Sequence, residues 1–206
     1  MTGNIVIVDY GMGNLSSIAK KLIHLKTNYN ISSDLDEIAK ADKLILPGVG
    51  HFKTAMEKLN ELHLCEPLTE AVTIKKKPIL GICLGMQLMA DYSEEGHCKG
   101  LGWIPGQVVR FNISNPLKYK VPHMGWNQIS SAKESALMKG IANGSEFYFV
   151  HSYHFKTTAE KDILNTTEYE QQFVSAVERD NLFGVQYHPE KSHDTGLILL
   201  KNFIDL

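Results

Sequence analysis

The chain has 206 residues, 43% hydrophobic and 21% charged, which is enough apolar content at this length to bury a substantial core. A net charge of -2 gives no basic field for nucleic acid, and the one dense cationic run, Lys75-Lys76-Lys77, reads as a solvated helix end. The longest apolar runs, Ile5 to Val8 and Ile79 to Met86, are too short to cross a bilayer, so no membrane partner is expected. The start, Met1-Thr2-Gly3-Asn4, leads straight into a predicted strand, so no secretory signal is expected. Cys65, Cys83 and Cys98 form an odd set with no paired spacing, so a reducing, cytoplasmic location is expected, with Cys65 and Cys98 incidental.

In chain order, Asn4 to Asp9 predicts a buried strand. Leu15, Ile18, Ala19, Leu22 and Ile23 then share one helical face, with Asn14 placed as N-cap. A short strand near Tyr29 to Ile31, a helical stretch near Asp34 to Ala41 and a strand at Lys43 to Leu46 follow, the last stopped by Pro47-Gly48. Helices at Phe52 to Leu62 and Pro67 to Lys75 lead into another apolar strand. This alternation predicts a three-layer α/β fold, a parallel sheet with helices on both faces. After Gly96 short strand-like runs dominate, at Gln107 to Phe111, Asn127 to Ser130, Glu146 to Val150, Phe173 to Glu178 and Leu182 to Gln186. They read as an added, smaller and partly antiparallel sheet. A last helix, Thr195 to Ile204, turns Leu197, Leu200 and Phe203 or Ile204 inward. With no repeat, low-complexity tract or linker, 1–206 is expected to be a single domain.

The stretch Pro78 to Gln87 runs an apolar strand into Gly81-Ile82-Cys83-Leu84-Gly85 and then an apolar helix, the layout of a nucleophile elbow. The central residue of such a turn adopts a strained backbone, and glycines on either side keep strand and helix from colliding. The residue exposed here is a thiol, at a helix N-terminus whose free N–H groups favour a thiolate. A cysteine nucleophile needs a base. Most of the nine histidines need no catalytic explanation, and His24 and His63 are expected in helices. His188 differs, because it follows the apolar strand Leu182 to Tyr187 and so stands at the C-terminal end of a strand, where open α/β sheets place ligands. Glu190, two residues on, can reach back to orient the imidazole, giving a Cys83-His188-Glu190 triad. The Leu84 N–H is a natural oxyanion donor, and Pro47-Gly48-Val49-Gly50 can supply a second from a rotatable peptide.

These motifs, Gly81 to Gln87, Pro47 to Gly50 and His188-Pro189-Glu190, resemble those of class I glutamine amidotransferases in order and spacing over the whole chain. Within that group the closest resemblance is to the glutaminase subunits of imidazole glycerol phosphate synthase. It is carried by Asp9 to Asn14, Pro47 to Phe52, Pro122 to Asn127 and Phe149 to Tyr153. The resemblance implies attack by Cys83 on the side-chain amide of glutamine, an oxyanion held by Leu84, Val49 and Gly50, and proton transfer through His188. It implies a parallel or mixed sheet with a flavodoxin-like core, and that Gly48, Gln87, Ser152 and Tyr153 hold the substrate. It also implies that ammonia passes to a (β/α)8-barrel synthase subunit docked on Asn14, Trp126, Asn127 and Lys191. No cofactor and no metal ion belong to this scheme.

Other readings stand beside it. His154 after Tyr153, and Glu170 where the histidine-pathway subunits are expected to carry glycine, keep open a paralogue that supplies ammonia to a nucleotide-sugar pathway. Another cysteine hydrolase, such as a γ-glutamyl hydrolase, disagrees with the Met124 to Asn127 loop. A zinc site at His151-x-x-His154 disagrees with strand alternation, since residues i and i+3 face opposite sides. An intact triad argues against a non-catalytic binding module.

Overall fold

The fold is seen in a computed structural model that describes residues 3–206; Met1 and Thr2, the first residues of the expected signal-free start, lie outside the described residues. The first half contains β1 (Ile5–Val8), α1 (Leu15–His24), β2 (Tyr29–Ser32), α2 (Leu35–Lys40), β3 (Lys43–Gly48), α3 (Phe52–Glu61), α4 (Cys65–Thr69), β4 (Ile79–Cys83) and α5 (Leu84–Gln87). The second contains β5 (Tyr92–Ser93), β6 (Cys98–Lys99), β7 (Gln107–Arg110), β8 (His123–Gln128), β9 (Ser130–Ser131), β10 (Glu146–His151), β11 (Tyr153–Lys156), β12 (Ile163–Tyr169), β13 (Gln171–Arg179), β14 (Leu182–Val185) and α6 (His193–Asp205). No helix among the described residues is long and apolar enough to cross a membrane.

Strands β2, β1, β3, β4 and β14 pair side by side in parallel. Alternation along β1 builds the layers. Ile5 and Ile7 pack with Ile18 and Leu22 of α1 and with Leu199, Leu200 and Phe203 of α6. Val6 and Val8 face the other way, into Ile38 of α2, Phe52 and Leu59 of α3 and Leu68 of α4. Each of these fully buried side chains contributes roughly 1.5–3 kcal/mol relative to exposure. The sheet continues antiparallel from β14 through β13, β11 and β7, and β12 lies along β13. A separate two-stranded ribbon, β8 with β10, is the smaller antiparallel sheet.

Several local expectations are corrected. The run Leu182 to Gln186 does not join an added sheet; β14 is the fifth parallel strand and lies directly against β4. Asn14 sits at the N-cap of α1 without capping it, because its backbone (φ -90°, ψ 63°) is not extended and its side-chain Oδ1 takes the Ser16 hydroxyl at 3.4 Å. Asp34 does cap α2, accepting from the N–H groups of Asp36 and Glu37 at 2.9 and 3.0 Å. The helix expected over Pro67 to Lys75 widens into a π turn at Glu70–Ile74, where the Thr69 and Thr73 hydroxyls bond back to the Cys65 and Thr69 carbonyls. His63 lies past the end of α3 with φ +55°. In α6 the buried positions include Leu199, Leu200, Phe203 and Ile204, whereas Leu197 is half-buried. Trp126 belongs to the ribbon strand β8 rather than to a turn.

Candidate active site

Three neighbouring strands end at one place. In the sheet register Gly48 of β3 stands beside Cys83, while Ile82 of β4 stands beside Val185 of β14. Residue 186 is therefore carried to the other flank of the cysteine. Cys83 itself has φ +55° and ψ -108°, the strained elbow the sequence predicts. The flanking glycines are required by contact. A Cβ at Gly85 would lie 1.8 Å from the Leu46 carbonyl oxygen, and one at Gly81 would lie 2.7 Å from the Gly85 carbonyl oxygen. The helix that follows is only one turn, Leu84–Gln87, so its dipole is small and the charge nearest the sulfur comes from a neighbouring side chain.

His188 is that neighbour. It is 1% exposed, and its Nδ1 lies 2.8 Å from Oε1 of Glu190, itself 6% exposed. Nε2 is buried and has no hydrogen-bond partner among the described residues. Burial pushes the imidazole toward its neutral form, but the charge of Cys83 and its contact with the ring, followed by Glu190, outweigh this and raise the pKa to about 10. The geometry therefore favours an imidazolium beside the sulfur.

A pocket of about 280 Å³ opens over the sulfur. Val49, Gly50, Leu84, Gln87, Ser152 and Tyr153 all line it together with Cys83 and His188. Gly50 has φ +113°, a conformation glycine adopts without strain. Gly48 does not line it. It is buried beneath the elbow, where a Cβ would meet the Tyr10 hydroxyl at 2.6 Å and Leu84 Cβ at 2.8 Å, so its place is in packing the Val49–Gly50 loop against the Cys83 turn. The Tyr10 hydroxyl donates to the Pro47 carbonyl at 2.8 Å and ties down the end of β3. Burial, then the charge of Cys83, holds that phenol well above its ordinary range.

One further lining group had no sequence signal of its own. Glu95 brings the one carboxylate to the pocket wall among the described residues, and its Oε2 accepts from the Phe52 N–H at 2.8 Å. His151 is part of a directed chain of hydrogen bonds. Its Nδ1 meets the Tyr153 carbonyl at 2.8 Å, which can only accept, so Nε2 is an acceptor and takes the Nδ1–H of His123 at 3.0 Å. His123 Nε2 in turn accepts from the Asn127 amide at 3.2 Å. Asn127, expected at a partner surface, is thus also a strut behind the pocket. Trp126, 45% exposed, stacks flat on His193 at 4.9 Å, and the Lys191 ammonium sits 5.5 Å above the Tyr148 ring. Asn14 opens α1, which packs on the turn carrying Lys191.

The sequence profile of the class I glutamine amidotransferases matches residues 6–206. The chain belongs to that family. This amidotransferase is 50% identical over 200 residues to a protein of Methanococcus maripaludis named imidazole glycerol phosphate synthase subunit HisH 2, covering 97% of this chain and 98% of that one. It is 46% identical over 208 residues to the subunit HisH of Pelagibacter ubique, covering 98% and 100%. Among solved structures, a putative GMP synthase protein of Thermoplasma acidophilum superposes with a TM-score of 0.75 at 20% identity, over 100% of this chain and 94% of that one. The PurLQS structure from Thermotoga maritima gives 0.73 at 16% identity, over 100% and 99%. At those identities the likeness is one of fold.

Proposed function

We propose that this amidotransferase is the glutaminase subunit of an imidazole glycerol phosphate synthase, acting as one domain over 1–206. The observation that carries the chemistry is a thiol at a strained elbow, beside an imidazole whose far nitrogen is held by a buried carboxylate. Cys83 thiolate attacks the side-chain amide carbon of glutamine; the S–C bond forms and the carbonyl electron pair moves to oxygen. The Leu84 N–H and the Val49–Gly50 peptide stabilise that oxyanion, each such donor being worth about 10²–10³ in rate. His188 gives its proton to the departing nitrogen, the C–N bond breaks, and a thioester and ammonia remain. Water then attacks the thioester, His188 takes its proton, and collapse releases glutamate and the thiolate. Glu190 orients the imidazole and balances its charge. Ser152, Tyr153 and the free carbonyl oxygen of Gln87 hold the amino-acid end, and Glu95 has the charge to meet its α-ammonium.

The relatives' names supply the pathway. Ammonia passes to a (β/α)8-barrel subunit in a cytoplasmic heterodimer, docked on the face bearing Asn14, Trp126 and Lys191, with Asn127 supporting it from the other side of β8. Direct transfer matters because protonated ammonium has no lone pair with which to attack. The test is glutamate release from glutamine by the chain alone and with the synthase subunit of the same organism plus its ribonucleotide ligand. A rise of at least about tenfold, above a 1.4 kcal/mol threshold in barrier, is expected. No rise, with Cys83 still labelled by a glutamine-analogue electrophile, would move the ammonia to the nucleotide-sugar acceptor that His154 and Glu170 keep open.

A further inference from the structure

Gln186 has no part in the triad, yet its side chain touches the reacting atom. It is fully buried, and its Nε2 lies 3.6 Å from Cys83 Sγ. The backbone explains how it gets there. The Gln186 N–H donates to the Ser175 carbonyl at 2.8 Å, continuing the extended path of β14, so Gln186 and His188 turn to one side while Tyr187 between them turns into the core and stacks on Phe147. One strand end therefore presents both an imidazole and an amide to the sulfur.

Which end of the amide faces the sulfur follows from its neighbours. Gln87 Nε2 lies 3.0 Å from the Tyr153 carbonyl, an acceptor only, so that atom is the donor nitrogen of Gln87. Its second N–H points at Gln186 Oε1, 2.9 Å away. With its oxygen so engaged, Gln186 can offer the sulfur only an N–H. An N–H bond to sulfur is stronger when the sulfur is charged, because charge-assisted hydrogen bonds exceed neutral ones.

We propose that Gln186 is a further catalytic residue, whose side-chain amide holds and stabilises the Cys83 thiolate before attack and again as the thioester collapses. The proposal deepens the glutaminase reading and rests on it for its place in the reaction. The contact itself is testable without glutamine. The other titratable groups around the sulfur are His188 with Glu190 behind it, Tyr10 at the end of β1, and His151 and Glu95 in the pocket walls, and all are kept in the variant below.

The experiment is alkylation of Cys83 by iodoacetamide in the purified chain, followed by peptide mass spectrometry, with Cys65 and Cys98 as internal standards. Free cysteine is almost entirely protonated at about pH 5.5, so reaction there reports thiolate held by its neighbours. Gln186→Met keeps the length and loses the N–H. We expect it to slow Cys83 alkylation roughly tenfold at about pH 5.5, converging on the unsubstituted rate at about pH 9, with the two standards unchanged. A loss of packing alone would not depend on pH in this way. Equal rates in variant and unsubstituted chain at the lower pH overturn the proposal. Should the variant fail to fold, the Gln186 side-chain amide is followed by NMR in the unsubstituted protein. Its proton resonance shifts when Cys83 is alkylated if the bond exists, and an unmoved resonance overturns it. Absence of glutamate release by the unsubstituted chain and its partner would instead remove the glutaminase reading while leaving the alkylation result standing.

Discussion

His123 and His151 are buried at 2% and 6% exposure and joined ring to ring at 3.0 Å, an arrangement that works only while both are neutral. A proton added to His151 Nε2 would face the His123 N–H, and one added to His123 Nε2 would face the Asn127 amide hydrogens. Burial accordingly lowers the His123 pKa to about 4 and holds His151 well below the ordinary histidine range. The sign of the linkage follows. In the unfolded chain these rings take up protons near pH 6.5, whereas the folded chain refuses them down to about 4, so the unfolded state binds more protons between the two. The contribution of this pair is fully present above about pH 6.5 and is lost as the pH drops toward 4, with His123 alone accounting for up to about 3 kcal/mol. Urea denaturation at a series of pH values is expected to show this acid limb, and His123→Gln is expected to flatten it by about one proton. An unchanged slope in the variant would mean that other groups carry the acid sensitivity.

At the scale of elements, the site depends on how closely α5 crosses β3. Gly85→Ala would put a methyl group 1.8 Å from the Leu46 carbonyl oxygen, so strand and turn must separate, at a cost of at least about 3 kcal/mol in denaturation. Gly140→Ala is the control. It has a positive φ of +76° but open space around it, so only the backbone penalty of roughly 1 kcal/mol is expected. Similar losses in the two would deny the close crossing its importance. That crossing was legible in the sequence, because Gly-x-Cys-x-Gly after an apolar strand has few other uses, and His188 was legible because an apolar strand delivers it. The parallel pairing of β14 with β4 was not, since a fully apolar strand does not state which neighbour it takes. Strand β12 lacks a clear apolar alternation because its buried positions include Asn165 and Thr167, whose polar groups pair internally with Tyr187 and Ser175. Gln186 was within reach, two residues before His188 on an extended strand. The place of Glu95 and the pairing of His123 with His151 were not, because long-range packing alone brings Glu95 to the pocket and the two rings together.

For the molecule as a whole, the exposed face beside the pocket differs from the buried core. Met124 and Trp126 alternate along β8 at 61% and 45% exposure, next to Lys191 and His193. Trp126→Ala removes one stacking contact on a half-open surface and is expected to cost about 1 kcal/mol or less of stability. If the face docks the synthase partner, the same change costs at least about 2 kcal/mol of association, roughly thirtyfold in Kd. Calorimetric titration against thermal melting separates the two, and a loss confined to stability would remove Trp126 from the interface. The central claim concerns the sulfur at the meeting point of β3, β4 and β14. Cys83→Ala removes one sulfur atom that lines the pocket and keeps the backbone of the elbow, so its melting temperature is expected to stay close to that of the unsubstituted chain. Glutamate release in the presence of the synthase partner with its ligand is the measurement to make on it. The account predicts a fall of at least about 10⁴-fold in kcat, and release that persists in the folded variant would contradict a Cys83 nucleophile.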